Sequence, residues 1–363
     1  MPPNRQAATL ESLKESYPDT YVLGQDGEET LPRAKADSAS VPEIPDQQLA
    51  AIAFTSGSTG APRPNRKYWR TFCVGTRSNA AMVLDDAAKH VNMLATVPPQ
   101  HMWGMETSIL LPLMAAVAIS DVTPFYPQDI VDALDALAEP KILVSSPIHL
   151  ETLLKSGVRT RGISKILTAT APLSRELAAA LEDALDTRVQ DVFGCSESGI
   201  LATRRTAIDE EWKYSTIFTL TMTDEGVVIS GAHLPEDVPL PDVIELTAAD
   251  RFRWIGRQQD MVNIAGKRGS LAEMNFRLRE IPGVVDGVIF EPGGGAGRLA
   301  ALVAAPGLSV SDILGALRGR LDPVFLPRPV IKVSQLPRQE TGKLGIDAVR
   351  ALFAELHSAN HRD

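Results

Sequence analysis

Cysteine is nearly missing: a chain of 363 residues holds two, Cys73 and Cys195, far apart and without C-x-x-C spacing. That excludes a disulfide framework and a thiolate zinc site, and it points to a reducing compartment, the cytoplasm. Long apolar runs are missing too. The longest, Ile109–Ile119, is about half a membrane span and contains Pro112, and the opening MPPNRQAATLESL has no apolar signal core, so the reading is a soluble protein without a span. Positive charge is not in excess. Against 45 Asp and Glu stand 36 Lys and Arg, a net charge of −9, which disfavours a general nucleic-acid or anionic-membrane binder. No period of about 20 to 50 residues repeats. The one low-complexity patch, Gly293 to Gly297, lacks the third glycine of a G-x-G-x-x-G and lies between the apolar runs Val284–Phe290 and Leu299–Ala305, so it reads as a hairpin loop.

What is present is length and alternation. Single cores stop growing at about 250 to 300 residues, so this chain predicts two domains. From residue 51 to about 195, strand-like runs (Ala51–Phe54, Val91–Val97, Lys141–Ser145, Lys165–Thr168, Arg188–Phe193) alternate with helical stretches such as Arg175–Leu185. This pattern predicts an α/β fold with a large, helix-covered, mixed or parallel sheet. After Gly256-Arg257 the texture becomes helix, two strands, helix, strand and helix, the mark of a small α+β domain. The expected divisions are a polar N-terminal segment at 1–50, a core at 51–258 and a C-terminal domain at 259–363.

Five segments carry chemistry. Thr55-Ser56-Gly57-Ser58-Thr59-Gly60 follows a strand and packs hydroxyls and glycines together, a composition that suits an oxyanion such as phosphate. Pro98-Pro99-Gln100-His101-Met102-Trp103-Gly104 follows another strand, and Phe193-Gly194-Cys195-Ser196-Glu197 ends a third. Asp250 leads through Arg257 to Gly266-Lys267-Arg268, and Leu336-Pro337-Arg338-Gln339-Glu340-Thr341-Gly342-Lys343 stands near the C-terminus.

In this order and spacing the set resembles the adenylate-forming superfamily of acyl- and aryl-CoA ligases, nonribosomal-synthetase adenylation domains and luciferases. The resemblance implies ATP- and Mg²⁺-dependent attack of a carboxylate on the α-phosphorus to give acyl-AMP, then transfer of the acyl group to a thiol of an acyl carrier protein or coenzyme A. It implies that Thr55, Ser56, Gly57, Ser58, Thr59 and Gly60 hold the pyrophosphate end of ATP and that Phe193 and Gly194 border the adenine. Ser196 contacts the α-phosphate, Glu197 ligates Mg²⁺, and Asp250 and Arg257 hold the ribose. Lys343 is the catalytic lysine, carried on the C-terminal lid domain. His101, Trp103, Thr170 and Ala171, with Met105, line the acid pocket, and Gly266, Lys267 and Arg268 face the thiol tunnel. The mixture of aromatic and small pocket residues suits an aryl or short acyl acid. The segment HMWGMETSILLPL also resembles ligases that load hydroxybenzoate-type acids in aryl-polyene and xanthomonadin-type pigment pathways.

The chain departs from the family pattern in four places. Arg63 replaces the lysine after the phosphate loop, with Lys67 as a substitute charge. Ala248-Ala249-Asp250 replaces Thr-Gly-Asp, and the hinge position is Gln259, followed by Asp260. The front is much shorter, with 54 residues before the loop, so the first segment reads as a remnant of the N-terminal subdomain. Two other function classes stay open at this point. One is a degenerate member acting as a nucleotide- or acyl-binding scaffold. The other is an α/β-hydrolase-like esterase, because Gly194-Cys195-Ser196-Glu197-Ser198 comes one residue short of a nucleophile elbow on Ser196, with His233 or His357 as base.

Overall fold

The computed structural model describes Glu15 and residues 43–56, 62–84, 90–293, 298–337 and 344–359. The chain divides into two compact units. One comprises 1–224, 228–239 and 247–252; the other comprises 225–227, 240–246 and 253–363.

The first unit begins with a correction to the strand expectations. Ala51–Phe54 does not join a large sheet. Strand β1 (Leu49–Ser56) pairs antiparallel with β2 (Pro62–Tyr68) in a separate two-stranded ribbon, with Phe54 opposite Pro64 and Ser56 opposite Pro62. An apolar run shows that a segment pairs, but not with which partner.

Strands β3 (Val91–Ala95), β4 (Val117–Ile119), β5 (Lys141–Ser145), β6 (Ile163–Thr168), β7 (Val189–Cys195), β8 (Gly199–Arg204) and β9 (Trp212–Tyr214) form the large sheet of this unit. Their order is β9-β8-β7-β6-β5-β3-β4, parallel from β7 to β4 and antiparallel from β7 to β9. The parallel strands are apolar on both faces because helices cover both. On one face, Met93, Ala95, Val144, Leu167 and Val192 pack with Val83 of helix α1 (Trp69–Val83). Two four-residue helices, α2 (Met102–Met105) and α3 (Leu111–Met114), follow β3. On the other face, Leu94, Leu143 and Ile166 pack under helices α4 (Pro127–Asp135), α5 (Pro147–Ser156) and α6 (Arg175–Leu185). Helix α6 has the predicted bounds because Ser174 caps it, its hydroxyl accepting from Leu177 N at 3.0 Å.

Strands β10 (Thr219–Thr223), β11 (Gly226–Ser230), β12 (Val238–Pro239), β13 (Asp242–Ala248) and β14 (Arg251–Arg257) span the stretch over which the chain changes unit. In the second unit, the hairpin of β15 (Met261–Ile264) and β16 (Lys267–Ser270) precedes helix α7 (Leu271–Arg279). Strands β17 (Asp286–Phe290) and β18 (Ala300–Ala304) pair antiparallel, as the two runs flanking the glycine patch predicted, and β19 (Val330–Lys332) adds in parallel. Helices α8 (Val310–Arg318) and α9 (Ile346–Ala359) complete it, with Leu278, Ile313 and Leu317 fully buried.

Candidate active site

Strands β3, β5, β6 and β7 run parallel, so the segments that follow them emerge at one edge of the sheet, where α/β sheets bind ligands. Three expected site segments meet that edge: His101–Trp103 after β3, Thr170–Ala171 after β6, and Phe193–Glu197 at the end of β7. Thr170 has φ 81, a left-handed conformation that a β-branched residue rarely adopts. Local strain of this kind is common at sites that hold a ligand.

The turn from β7 to β8 is tight. Gly194 sits at a register shift, and a Cβ there would lie 2.2 Å from the carbonyl oxygen of Gly199. Gly199 has φ +78, and its Cβ would come within 2.6 Å of Glu106 Oε1. Both glycines are therefore required for close packing, and residues 196–198 form the turn between Cys195 and its ladder partner Gly199. The ring of Phe193 is held 5.3 Å from Trp212 and 5.4 Å from Phe252. Ser196 is half-buried and Glu197 is exposed.

This geometry removes the hydrolase alternative. A nucleophile elbow needs a strand, a turn and a helix, whereas here the turn is followed by strand β8. His233, one of the imagined bases, is buried, edge-on to Phe218 at 5.0 Å, and pushed below the usual histidine range by burial first and by Arg70 and Lys67 second.

After β3, Gly104 lets the chain fold back, since a Cβ would stand 2.2 Å from the Pro98 carbonyl oxygen. His101 is exposed at the start of α2. Trp103 is buried, and its indole N–H has no acceptor among the described residues. The five residues after α2, Glu106–Leu110, form a π-helical turn.

That turn carries a residue which the sequence reading missed. Glu106 is 7% exposed, and its Oε1 accepts from Asn79 Nδ2 and from Ile200 N, both at 3.1 Å. Burial pushes its carboxyl above the usual carboxylate range, against the pull of Ile200 N–H, Asn79 and Lys67. Lys67, at 3% exposed, donates from Nζ to the Glu197 carbonyl oxygen at 2.5 Å. Burial lowers its pKa, opposed by Glu106, Cys195 and Glu197. Charged residues read as surface in a sequence, and the only local hint is that Glu106 interrupts an apolar stretch. A second polar group at the same edge, also unforeseen, joins Thr96 to Ser145 at 2.8 Å and to His149 Nδ1 at 3.2 Å.

The remaining expected residues fall as follows. Thr55 and Ser56 end β1, while Gly57, Ser58, Thr59, Gly60 and Lys343 lie outside the described residues. Asp250 occupies a turn in the first unit, 3.8 Å from Lys213 Nζ. In the second unit, Arg257 Nε stands 4.0 Å from Asp242 Oδ1, which also accepts from Trp254 Nε1 at 2.8 Å. Ala265 and Gly266, both at positive φ, form the two-residue loop between β15 and β16. Lys267 reaches Asp322 Oδ2 at 2.6 Å, and Arg268 is exposed on β16.

Residues 4–234 match the family described as AMP-binding enzyme. The chain belongs to this family. The match places it in the adenylate-forming superfamily, as the ordered motifs predicted. Among curated relatives, a 4-coumarate–CoA ligase of Rhodobacter capsulatus is 27% identical over 285 residues, covering 75% of this chain and 67% of the relative. The phosphinothricin tripeptide synthetase PhsC of Streptomyces viridochromogenes is 24% identical over 380 residues, covering 91% of this chain and 34% of that larger protein. The fold superposes on ATP-bound MatB from Rhodopseudomonas palustris with TM-score 0.71 at 17% identity, covering 88% of this chain and 71% of that one. It superposes equally on the AMP complex of O-succinylbenzoate coenzyme A synthetase from Bacillus subtilis, with TM-score 0.71 at 16% identity, covering 83% and 69%. The chain therefore shares the fold of these structures across most of its length. Among the described residues, no helix is long and apolar enough to cross a membrane.

Proposed function

We propose that the protein activates a carboxylic acid with ATP to an acyl-AMP and transfers the acyl group to a thiol. The observation that carries this reading is the convergence of the Phe193–Glu197 turn, the strained Thr170 and the Trp103 segment at one sheet edge, in a chain of the AMP-binding family.

The first half-reaction sets an anion against a polyanion, so cations and N–H donors must face the charge that moves. In the proposed roles, Thr55 to Gly60 cradle the pyrophosphate end of ATP. Phe193, braced by two aromatic rings, and Gly194, exposed beside it, border the adenine. Ser196 contacts the α-phosphate, Asp250 and Arg257 hold the ribose, and Lys343 bridges phosphate and carboxylate. Glu197 fits a magnesium ion, because it offers an exposed hard carboxylate. Among the described residues no cluster of three or more His, Cys, Asp or Glu forms a cage. One carboxylate plus substrate phosphates is the usual Mg²⁺ environment. When bound, the ion would neutralise charge on the phosphates.

The acid is read as aryl or short acyl, with hydroxybenzoates the first candidates. His101, Trp103, Thr170 and Ala171 would line its pocket. Trp103 supports an oxygen-bearing substrate, since a buried N–H without an acceptor costs free energy that a substrate oxygen would recover. Residues 259–363 are read as the lid domain that carries Lys343, with Gly266, Lys267 and Arg268 facing the thiol, either coenzyme A or the arm of a carrier protein.

Pyrophosphate exchange across benzoates, hydroxybenzoates, cinnamates and fatty acids tests the reading. Exchange on an aryl or short acid is the expected result. Silence on every acid while ATP still binds would replace it with a nucleotide-binding scaffold, a reading favoured by the altered hinge residue Gln259. Offering free coenzyme A and a carrier protein side by side, and measuring which is acylated, decides the acceptor.

A further inference from the structure

The turn of Ser196 and Glu197 is gripped on both sides by buried charge. On one side Lys67 Nζ donates to the carbonyl oxygen of Glu197 at 2.5 Å. On the other, Glu106 Oε1 accepts the N–H of Ile200 at 3.1 Å, three residues further on and just past Gly199. Glu106 is itself fixed. Asn79 Nδ2 donates to the same oxygen at 3.1 Å, and the π-helical turn it opens is closed by Leu111 N, which bonds to the Glu106 carbonyl five residues back. π-Helical turns occur mostly as single insertions that redirect a side chain, frequently at functional sites. Gly199 completes the fit, because any side chain there would occupy the space of the carboxylate.

Two charged residues with exposures of 7% and 3% are expensive to bury, and a core of apolar side chains would be cheaper to build. Neither residue sits in the core for packing alone, since Lys67 ends on a backbone carbonyl of the β7–β8 turn and Glu106 ends on the amide of Ile200, the second residue of β8 after that turn. We propose that Glu106 and Lys67 are positioning residues for adenylation, clamping the β7–β8 turn so that Ser196 and Glu197 present their groups in one fixed geometry. The proposal rests on the reading in which this turn meets ATP and its metal. The chemistry they act on is that of anionic phosphate oxygens and a divalent cation, where a loosely held contact group loses rate without losing the site.

The test separates the clamp from the reaction. Hydrogen exchange of the ligand-free protein follows the amides of residues 194–203 in wild type, Glu106→Gln, Glu106→Ala and Lys67→Met. Losing the acceptor should speed exchange at Ile200 by about tenfold or more in Glu106→Ala. Glu106→Gln retains Oε1 as acceptor and should stay near wild type. In pyrophosphate exchange, Glu106→Ala and Lys67→Met should each lower kcat about 10- to 100-fold, the usual effect of removing a group that orients a contact residue. KM for the acid should be unchanged, and Glu106→Gln should keep most of the rate. If Glu106→Ala does not fold, Lys67→Met and Glu106→Gln still carry both measurements. Unchanged amide exchange in Glu106→Ala and Lys67→Met overturns the clamp, as does a kcat in Lys67→Met and Glu106→Ala equal to wild type. A wild-type protein that exchanges no pyrophosphate with any acid overturns the proposed function instead, and the amide measurement still decides the clamp.

Discussion

Arg204→Met removes the cationic partner of a carboxylate that has almost no access to water. Asp191, on β7 two residues before Phe193, is 3% exposed. Arg204 reaches its Oδ2 at 3.2 and 3.3 Å, and Thr206 Oγ1 adds a third contact at 3.1 Å. Burial outweighs these partners and pushes the carboxyl up to about 6. Because the folded pKa lies above the unfolded one, the native protein binds the extra proton between about pH 4 and pH 6. Its stability from this group is therefore highest at low pH and falls as pH rises through that window. Above about 6 the wild-type contribution levels off. Without the guanidinium the carboxyl moves higher still, so the variant keeps losing stability at about 1.4 kcal/mol per pH unit. At pH 8 the excess loss is about 3 kcal/mol, in line with the roughly 3 to 5 kcal/mol for breaking a buried pair. Arg204 also lies 4.3 Å over the Trp212 ring, and losing that contact costs about 1 kcal/mol at any pH. Urea unfolding followed by circular dichroism should show a deficit of about 1 kcal/mol at pH 5 and about 4 kcal/mol at pH 8, other groups cancelling between the two proteins. Equal deficits at the two pH values, or less than 1 kcal/mol at pH 8, would refute a buried charge pair at this position.

Other predictions follow from the same reasoning. Lys343→Ala should lower acyl-AMP formation by roughly 10² to 10³, as for deleting one donor to a developing anion, while thioester formation from supplied acyl-AMP stays near wild type. A parallel fall of both steps would refute a role confined to the first. Gly199→Ala should destabilise the first unit by about 1 to 3 kcal/mol, since it combines φ +78 with a Cβ 2.6 Å from Glu106 Oε1, and a neutral result in thermal unfolding would refute that packing. Leu143→Ala, fully buried between β5 and the helices α4 to α6, should cost about 2 to 5 kcal/mol in denaturant, whereas a loss under 1 kcal/mol would refute the core assignment.

The alternation of apolar runs with helical stretches determined the α/β class, because burial on both faces of a parallel sheet leaves a local imprint on each strand. Helix α6 was legible to the residue, since its cap is a side chain three positions from the amide it binds. The ordered glycine, hydroxyl and lysine motifs were legible as an adenylate-forming set, since each is a short local run that can be read without knowing what packs around it. Pairing was not legible. Ala51–Phe54 read as one more strand of the large sheet, and only the fold gave it to the β1–β2 ribbon. The same holds for Glu106, Lys67 and Arg204, which carry the polarity of surface residues and acquire their roles from partners far along the chain. Lys67 meets Glu197 across 130 positions and Glu106 meets Ile200 across 94. Tertiary structure decided these contacts, because a buried charge is tolerated only where another segment brings the opposing charge or backbone group, and local sequence does not encode which segment that is.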